Sequence, residues 1–494
     1  MTDDIDNRHE HKYITTTLPY INGKPHLGHA FEFVRADAVA RFKRLEGFEV
    51  FFNTGTDEHG QKVLKRAEEE GLSPQDFADK YSEKYQDLLA ELNVSNDAFI
   101  RTTDESHKKS AQEFWKRCDA NGDIYKKEYR GLYCVGCEMF VNESDLTEEG
   151  ECPDHSGQKP VEIEEENYFF RFSNYQDELL KFYKERADFV VPDVRFNEIK
   201  RFVEDGLEDF SISRVADKMP NGVPVPGDDS QVMYVWFDAL SNYISTLGWP
   251  DNEENFQNFW IDGAPTQFCG KDNLRQQAAI WQAMLLSAGL PLSRQIVIHG
   301  HIQSDGRKMS KSVGNVIDPQ EIIDEYSTDM LRYYLLRHLH PFDDPDITED
   351  SLKEAYNGNL ANGLGNLVSR VANMYVSYDV KVAIDYKAET TLEQEDGEAL
   401  AGFINEYRFD RALDYIWAEI GHLDAFITKE EPYKLIKSDD LEQVEEAKQA
   451  VAYLVLRLYD IASMLTPFMP ETAKEIKRII EAKEKPQPLF QRKD

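Results

Sequence analysis

Cysteine is scarce in this chain: five residues in 494, namely Cys118, Cys134, Cys137, Cys152 and Cys269. So small and odd a number excludes a disulfide framework as the source of stability. No apolar run is long enough to cross a bilayer, so no membrane contact is expected. Residues 1–12 are polar and acidic and lack the apolar segment of a secretory signal, which points to the cytoplasm. Cations are outnumbered, with 56 Lys and Arg against 92 Asp and Glu and a net charge of -36. Such a balance argues against broad wrapping of nucleic acid, because phosphate contacts need Lys and Arg. A local basic groove stays open, since net charge governs solubility and the long-range field rather than one site. Internal repeats and low-complexity tracts are also missing, which excludes a solenoid.

What is present is enough apolar material, 41% of residues, to build two to four cores. Residues 13–18 are β-branched and apolar and predict a buried strand. Pro19, Asn22, Gly23 and Pro25 break it, and a helix is expected from His26 to Leu45. A second strand is expected at 50–55. Strand, glycine turn, helix, strand opens a doubly wound α/β domain, whose ligand sits beyond the carboxyl ends of the strands. The pattern changes from about 129 to 227, where acidic loops, a cysteine cluster and short strand-like pieces such as 168–172 suggest an inserted module. It returns with apolar runs at 232–237 and 295–300. After 351 the apolar residues recur at helical spacing, as in Phe409, Leu413, Ile416, Trp417, Ile420, Leu423, Phe426 and Ile427, and predict a helical bundle. The expected organisation is therefore a Rossmann-type catalytic domain at 1–128 and 228–350, an inserted module at 129–227, and an all-α domain at 351–494. The tail from 483 is polar and expected not to pack.

Two motifs carry chemistry. His26-Leu27-Gly28-His29 lies where a strand hands over to a helix, and a helix start offers unpaired N–H groups and a positive dipole end. Gly28 lets a ligand approach the backbone, and the two imidazoles can donate to phosphate oxygens as charge builds. Alone, the string has a plainer reading as two surface histidines near a turn, the less favoured of the two. Far downstream, Lys308-Met309-Ser310-Lys311-Ser312 lies between Gly306 and Gly314 beside Arg307. Three cations and two hydroxyls on a glycine-flanked loop form a polyphosphate clamp that can open and close. A five-residue match following the first motif in this order leaves coincidence little room.

Cys134-x2-Cys137-x14-Cys152-x2-His155 has zinc-knuckle spacing. Three thiolates and an imidazole suit tetrahedral Zn²⁺ and leave no open position, so the expected role is structural. Cys118 and Cys269 fall outside the spacing and are expected to be plain buried thiols.

With these residues in hand, the chain resembles class I aminoacyl-tRNA synthetases, and within them the methionyl-tRNA synthetase family, over essentially its whole length. The stretches that carry the resemblance are 18–29, Thr54 to Gly60, Tyr234 to Leu240, Gly270-Lys271-Asp272 and the Lys308 loop. The resemblance implies ATP- and Mg²⁺-dependent activation of L-methionine and transfer to initiator and elongator tRNA-Met. It implies that His26, His29, Lys308, Lys311 and Arg214 act in catalysis. ATP would be held by His26, Gly28, His29, Gly270, Asp272, His299, Gly300, Lys308 and Lys311. Asp57 would pair with the methionine ammonium group, and Leu18, Tyr20, Trp236, Ala239, Leu240 and Tyr243 would wall its side chain, a thioether being well matched to aromatic rings. Asn366, Arg370 and Tyr433 would read the anticodon, since amide, guanidinium and ring can engage splayed bases.

Three positions depart from the family pattern. Asn273 and Gln277 stand where an isoleucine and a histidine are usual beside the methionine, and altered binding is expected. Tyr433 stands where a tryptophan is usual. Branched-chain synthetases share both motifs but carry a large editing insertion for which this chain has no room. Cysteinyl enzymes disperse their zinc ligands. A nucleotidylyltransferase would not need the helical bundle. The chain ends soon after that bundle, so a monomer is expected.

Overall fold

The computed structural model describes residues 10–134, 139–141, 146–153, 157, 159–304, 306–308, 317–383 and 394–493. The chain forms two compact units. One takes in the residues up to Pro25, Val50–Asp87 and Asn96–Ile298; the other takes in His26–Glu49, Leu88–Ser95 and the chain from His299 onward.

The first unit is built on six strands: β1 (His11–Thr16), β2 (Glu49–Thr56), β3 (Ala98–Arg101), β4 (Val190–Val191), β5 (Thr266–Gly270) and β6 (Gln295–His299). Their order is β3-β2-β1-β5-β6-β4. The pairs β1–β5, β2–β3 and β6–β4 are parallel. Strands buried on both faces read as continuous apolar or β-branched runs, and Tyr13 to Thr16 are all buried. The residues just after β1 (Leu18, Tyr20), β2 (Asp57) and β5 (Lys271 to Asn273) therefore lie where this architecture puts its ligands. The core is strongly aromatic: Phe114 stacks on Trp281 with centroids 5.5 Å apart, and Trp260 meets Trp281 edge-on at 6.0 Å.

The described strands between Ile124 and Phe170 are antiparallel. Ile124–Cys134 pairs with Val161–Phe170 in continuous register from Ile124↔Phe170 to Tyr133↔Val161. The expected strand at 168–172 ends at Phe170, and Phe172–Tyr175 forms a 3-10 turn. The apolar run at 232–237, expected to resume the α/β pattern, lies outside the parallel sheet and is divided between two elements. Asp228–Met233 is a strand, but it pairs antiparallel with Ser213–Val215 and Pro224–Val225 outside the parallel sheet. Val235–Leu240 is a helix. A short apolar run cannot be told from a buried helix by periodicity, and here Tyr234 caps the turn into one.

In the second unit the expected helix after the first motif is present as Leu27–Leu45, and it packs on Thr328–Arg337. Their contact is pinned by buried Arg332, whose Nη2 lies 2.7 Å from Asp37 Oδ2. Its guanidinium also donates to the carbonyls of Leu92, Pro467 and Phe468. The bundle follows, with helices Asn366–Ser377, Gln394–Asn405, Phe409–Glu430, Leu441–Leu465 and Pro470–Ala482. Of the residues at helical spacing named above, Phe409, Leu413, Ile416, Ile420, Leu423 and Ile427 are buried within Phe409–Glu430, while Trp417 and Phe426 are only half-buried. The tail does pack, contrary to expectation. Phe490 meets Tyr356 edge-on at 6.0 Å, and the Asn357 amide exchanges two 2.9 Å hydrogen bonds with the Lys493 backbone.

Candidate functional site

In the second unit, His26 caps the helix Leu27–Leu45 in an extended conformation. Its Nδ1 accepts from Gly28 N at 3.1 Å, and its own backbone N donates to His29 Nδ1 at 3.1 Å. An imidazole nitrogen that accepts carries no proton, so the neutral tautomer of both rings bears its proton on Nε2. The rings stack with centroids 3.9 Å apart. No carboxylate occupies the first turn to oppose an anion. A Cβ on residue 28 would meet the His26 ring at 3.0 Å, so glycine belongs there. The same helix contributes Glu32, which sequence reasoning missed: its Oε2 lies 2.8 Å from His299 Nε2, while His299 Nδ1 faces Gly300 O at 2.8 Å. Phe31 packs edge-on to His299 at 5.4 Å. The structure thus brings His299 and Gly300 to the helix that begins at the capping histidines. Gly300 is required by close approach, since a Cβ there would sit 2.0 Å from Asp343 O.

Lys308 lies on a short strand, Arg307–Lys308, opposite Gln303–Ser304. Lys311 and the rest of the Lys308 loop through Ser312 lie outside the described residues.

In the first unit, Leu18, Asp57, Ala239, Leu240, Tyr243 and Gln277 are buried, and Tyr20, Trp236 and Asn273 are half-buried. Tyr20 and Asp57 form an isolated parallel bridge: Asp57 N donates to Pro19 O at 2.9 Å and Ile21 N to Asp57 O at 3.2 Å. Trp236 Nε1 is buried with no partner among the described residues. Gly270 ends β5 buried, and Asp272 is exposed on the turn Lys271–Asn273. Gln277 belongs to a buried chain of amides and hydroxyls: its Nε2 donates to Tyr243 OH at 2.6 Å, and its Oε1 accepts from Gln267 Nε2 at 3.1 Å. The chain continues from Gln267 to Ser293 and Gln282.

Arg214 is almost wholly buried. Its Nε lies 3.2 Å from Glu165 Oε2, and its guanidinium sits 4.3 Å above the Tyr133 ring. Lys218 also bonds Glu165. Two further buried contacts join segments that carry residues expected at the methionine site: His59 Nδ1 to Asp238 Oδ2 at 2.7 Å, and His107 Nδ1 to Ser245 Oγ at 2.9 Å. None of these partners announces itself in sequence, because each pairing spans dozens to hundreds of residues.

Cys134 and Cys152 are both buried, as the knuckle requires, while Cys137 and His155 lie outside the described residues. Among the described residues no cluster of three or more metal-binding side chains occurs. Cys118 and Cys269 are buried thiols, as expected, and burial pushes the Cys118 thiol up to about 12. In the bundle, Asn366 is exposed at the start of its helix, directly after the π-helical segment Tyr356–Gly365. Arg370 Nη1 donates to Asp424 Oδ1 at 2.6 Å, and Tyr433 is 39% exposed on the short helix Pro432–Leu435. Among the described residues no helix is long and apolar enough to cross a membrane.

The family model described as tRNA synthetases class I (M) matches residues 12–159 and 154–372. The chain is a class I aminoacyl-tRNA synthetase by this match, which spans most of its length. It is 43% identical to the methionine–tRNA ligase of Thermotoga maritima, over 96% of this chain and 76% of that one. It is 40% identical to the methionine–tRNA ligase of Brucella melitensis biotype 1, over 96% and 92%. A solved structure of Mycobacterium tuberculosis methionyl-tRNA synthetase in complex with methionyl-adenylate is similar with a TM-score of 0.88 and 37% identity, covering 94% of this chain and 93% of that one. Within its class the chain belongs to the methionine–tRNA ligases.

Proposed function

We propose that this chain uses ATP to activate L-methionine to methionyl-adenylate and then transfers the methionyl group to the 2′-hydroxyl of the terminal adenosine of initiator and elongator tRNA-Met. The observation that carries the reading is the histidine cap, which leaves a proton on Nε2 of both His26 and His29 at a helix start free of carboxylates. Two donors held there stabilise charge on the phosphate under attack by the methionine carboxylate. Lys308 and Lys311 draw charge from the departing pyrophosphate, and Gly270, Asp272, His299 and Gly300 hold the nucleoside portion. Mg²⁺ accompanying ATP would supply further neutralisation of the phosphate charge.

Asp57 holds the ammonium group, Arg214 lies toward the reacting carboxylate, and Leu18, Tyr20, Trp236, Ala239, Leu240, Tyr243, Asn273 and Gln277 form the side-chain site. Asn366, Arg370 and Tyr433 read the anticodon. Cys134, Cys137, Cys152 and His155 would hold Zn²⁺, which would cross-link the inserted module; the buried thiols at 134 and 152 suit it. The protein works in the cytoplasm as a monomer, and the four segments 1–128, 129–227, 228–350 and 351–494 divide the labour as their sequences suggest. Pyrophosphate exchange into ATP over a panel of amino acids tests the first step. Exchange that depends on methionine is expected, and exchange driven by another amino acid contradicts the reading.

A further inference from the structure

The segments assigned to the methionine site are far apart in sequence, and polar bonds hidden from solvent tie them together. His59 follows Asp57 by two residues, and Asp238 follows Trp236 by two. Both His59 and Asp238 have no exposed surface, and Nδ1 lies 2.7 Å from Oδ2. A contact that short between two heteroatoms requires a proton between them. An uncompensated polar group buried so deeply costs free energy, so the pair holds its two segments at one spacing. The Asp57 backbone is bonded in turn to Pro19 and Ile21, flanking Tyr20. On the other side, Asp238 precedes Ala239 and Leu240 in the helix Val235–Leu240. His107, equally buried, bonds Ser245 in the helix that carries Tyr243.

We infer that His59 is a positioning residue for amino-acid recognition: its bond to Asp238 fixes the segment bearing Trp236, Ala239 and Leu240 relative to the segment bearing Asp57. The inference rests on the methionine site proposed above. His59 touches no substrate. It sets the distance between the group that takes the ammonium and the wall that takes the thioether, so its loss weakens methionine binding and leaves the use of ATP intact.

Asparagine and glutamine separate this role from simple packing. In His59→Asn the side-chain amide would place its N–H about where Nδ1 is, within reach of Asp238. In His59→Gln the longer side chain would place that N–H about where Nε2 is, pointing away. The experiment is methionine-dependent pyrophosphate exchange and thermal unfolding on the full chain for wild type, His59→Asn, His59→Gln, His59→Leu and Trp236→Ala. His59→Asn is expected to keep KM for methionine within threefold of wild type. His59→Leu is expected to raise it at least tenfold, with KM for ATP within threefold. Should the leucine variant not fold, His59→Gln carries the same test, with a three- to tenfold rise. A leucine or glutamine variant that melts lower yet keeps the wild-type KM for methionine overturns the inference and leaves the pair a packing feature. An unchanged KM for methionine in Trp236→Ala strikes instead at the site assignment beneath it.

Discussion

Arg214 and Glu165 form an ion pair sealed from solvent, with Nε and Oε2 3.2 Å apart and side chains 1% and 3% exposed. Arg214 comes from the strand Ser213–Val215 and Glu165 from Val161–Phe170, so the pair stitches two sheets of the first unit. Removing one member of a buried pair leaves the other charged and uncompensated, at a cost of about 3–5 kcal/mol. Glu165→Gln is therefore expected to lower the melting temperature and also kcat for exchange, since it releases the guanidinium from one orientation above Tyr133. Differential scanning calorimetry beside exchange kinetics checks both. A variant with wild-type kcat would show that Arg214 needs no orientation from Glu165.

His107 predicts a pH dependence. Burial, then the neighbouring His59 and Lys108, push its pKa down from 6.5 to about 3. Below pH 6.5 the unfolded chain takes up a proton that the folded chain refuses. This residue therefore costs stability as pH falls from about 6.5 toward 3 and costs nothing above that window. The slope approaches about 1.4 kcal/mol per pH unit, or about 2 kcal/mol at pH 5. Melting of wild type and His107→Asn at pH 7.5 and pH 5 is expected to show the variant losing less stability on acidification. Parallel losses would contradict a buried neutral imidazole.

Gln277 bonds Tyr243 through Nε2 and Gln267 through Oε1, with 1% of its surface exposed. Removing its amide strands two buried polar groups, each costing about 1–3 kcal/mol. Gln277→Leu is expected to destabilise the chain and raise KM for methionine. Gln277→His, which restores the residue usual in the family, is expected to change KM for methionine while keeping the fold. Exchange kinetics measure both, and an unchanged KM in the histidine variant removes this position from substrate recognition.

The proposed zinc knuckle at Cys134, Cys137, Cys152 and His155 predicts one zinc per chain by elemental analysis. Cys152→Ser is expected to lose that metal and to lower the melting temperature, because a four-ligand site is part of the fold. Protein purified free of zinc with an unchanged melting curve would refute the site.

The sequence revealed the elements whose pattern is local. The run at 13–18, the helix opening at His26 and the apolar face from Phe409 to Ile427 each declare a period that the fold then uses. The motif at His26 to His29 was legible because strand, turn and cap follow one another directly. What sequence could not supply was any pairing across distance. His59 and Asp238 are 179 positions apart, and Glu32 and His299 are 267 apart. Nothing in a run of residues tells a buried carboxylate from a solvated one. The run at 232–237 could not be resolved for a related reason: its apolar residues fit strand and helix alike, and packing divided them at Tyr234.

The central claim is that this chain attaches methionine to a tRNA that it recognises in part through the bundle bearing Asn366, Arg370 and Tyr433. Charging of tRNA-Met transcripts with radiolabelled methionine, with a CAU anticodon and with that anticodon replaced, tests it most directly. Efficient methionylation of the CAU transcript and at least a hundredfold drop on replacement are expected. Equal charging of both transcripts, or none of either, would contradict the account.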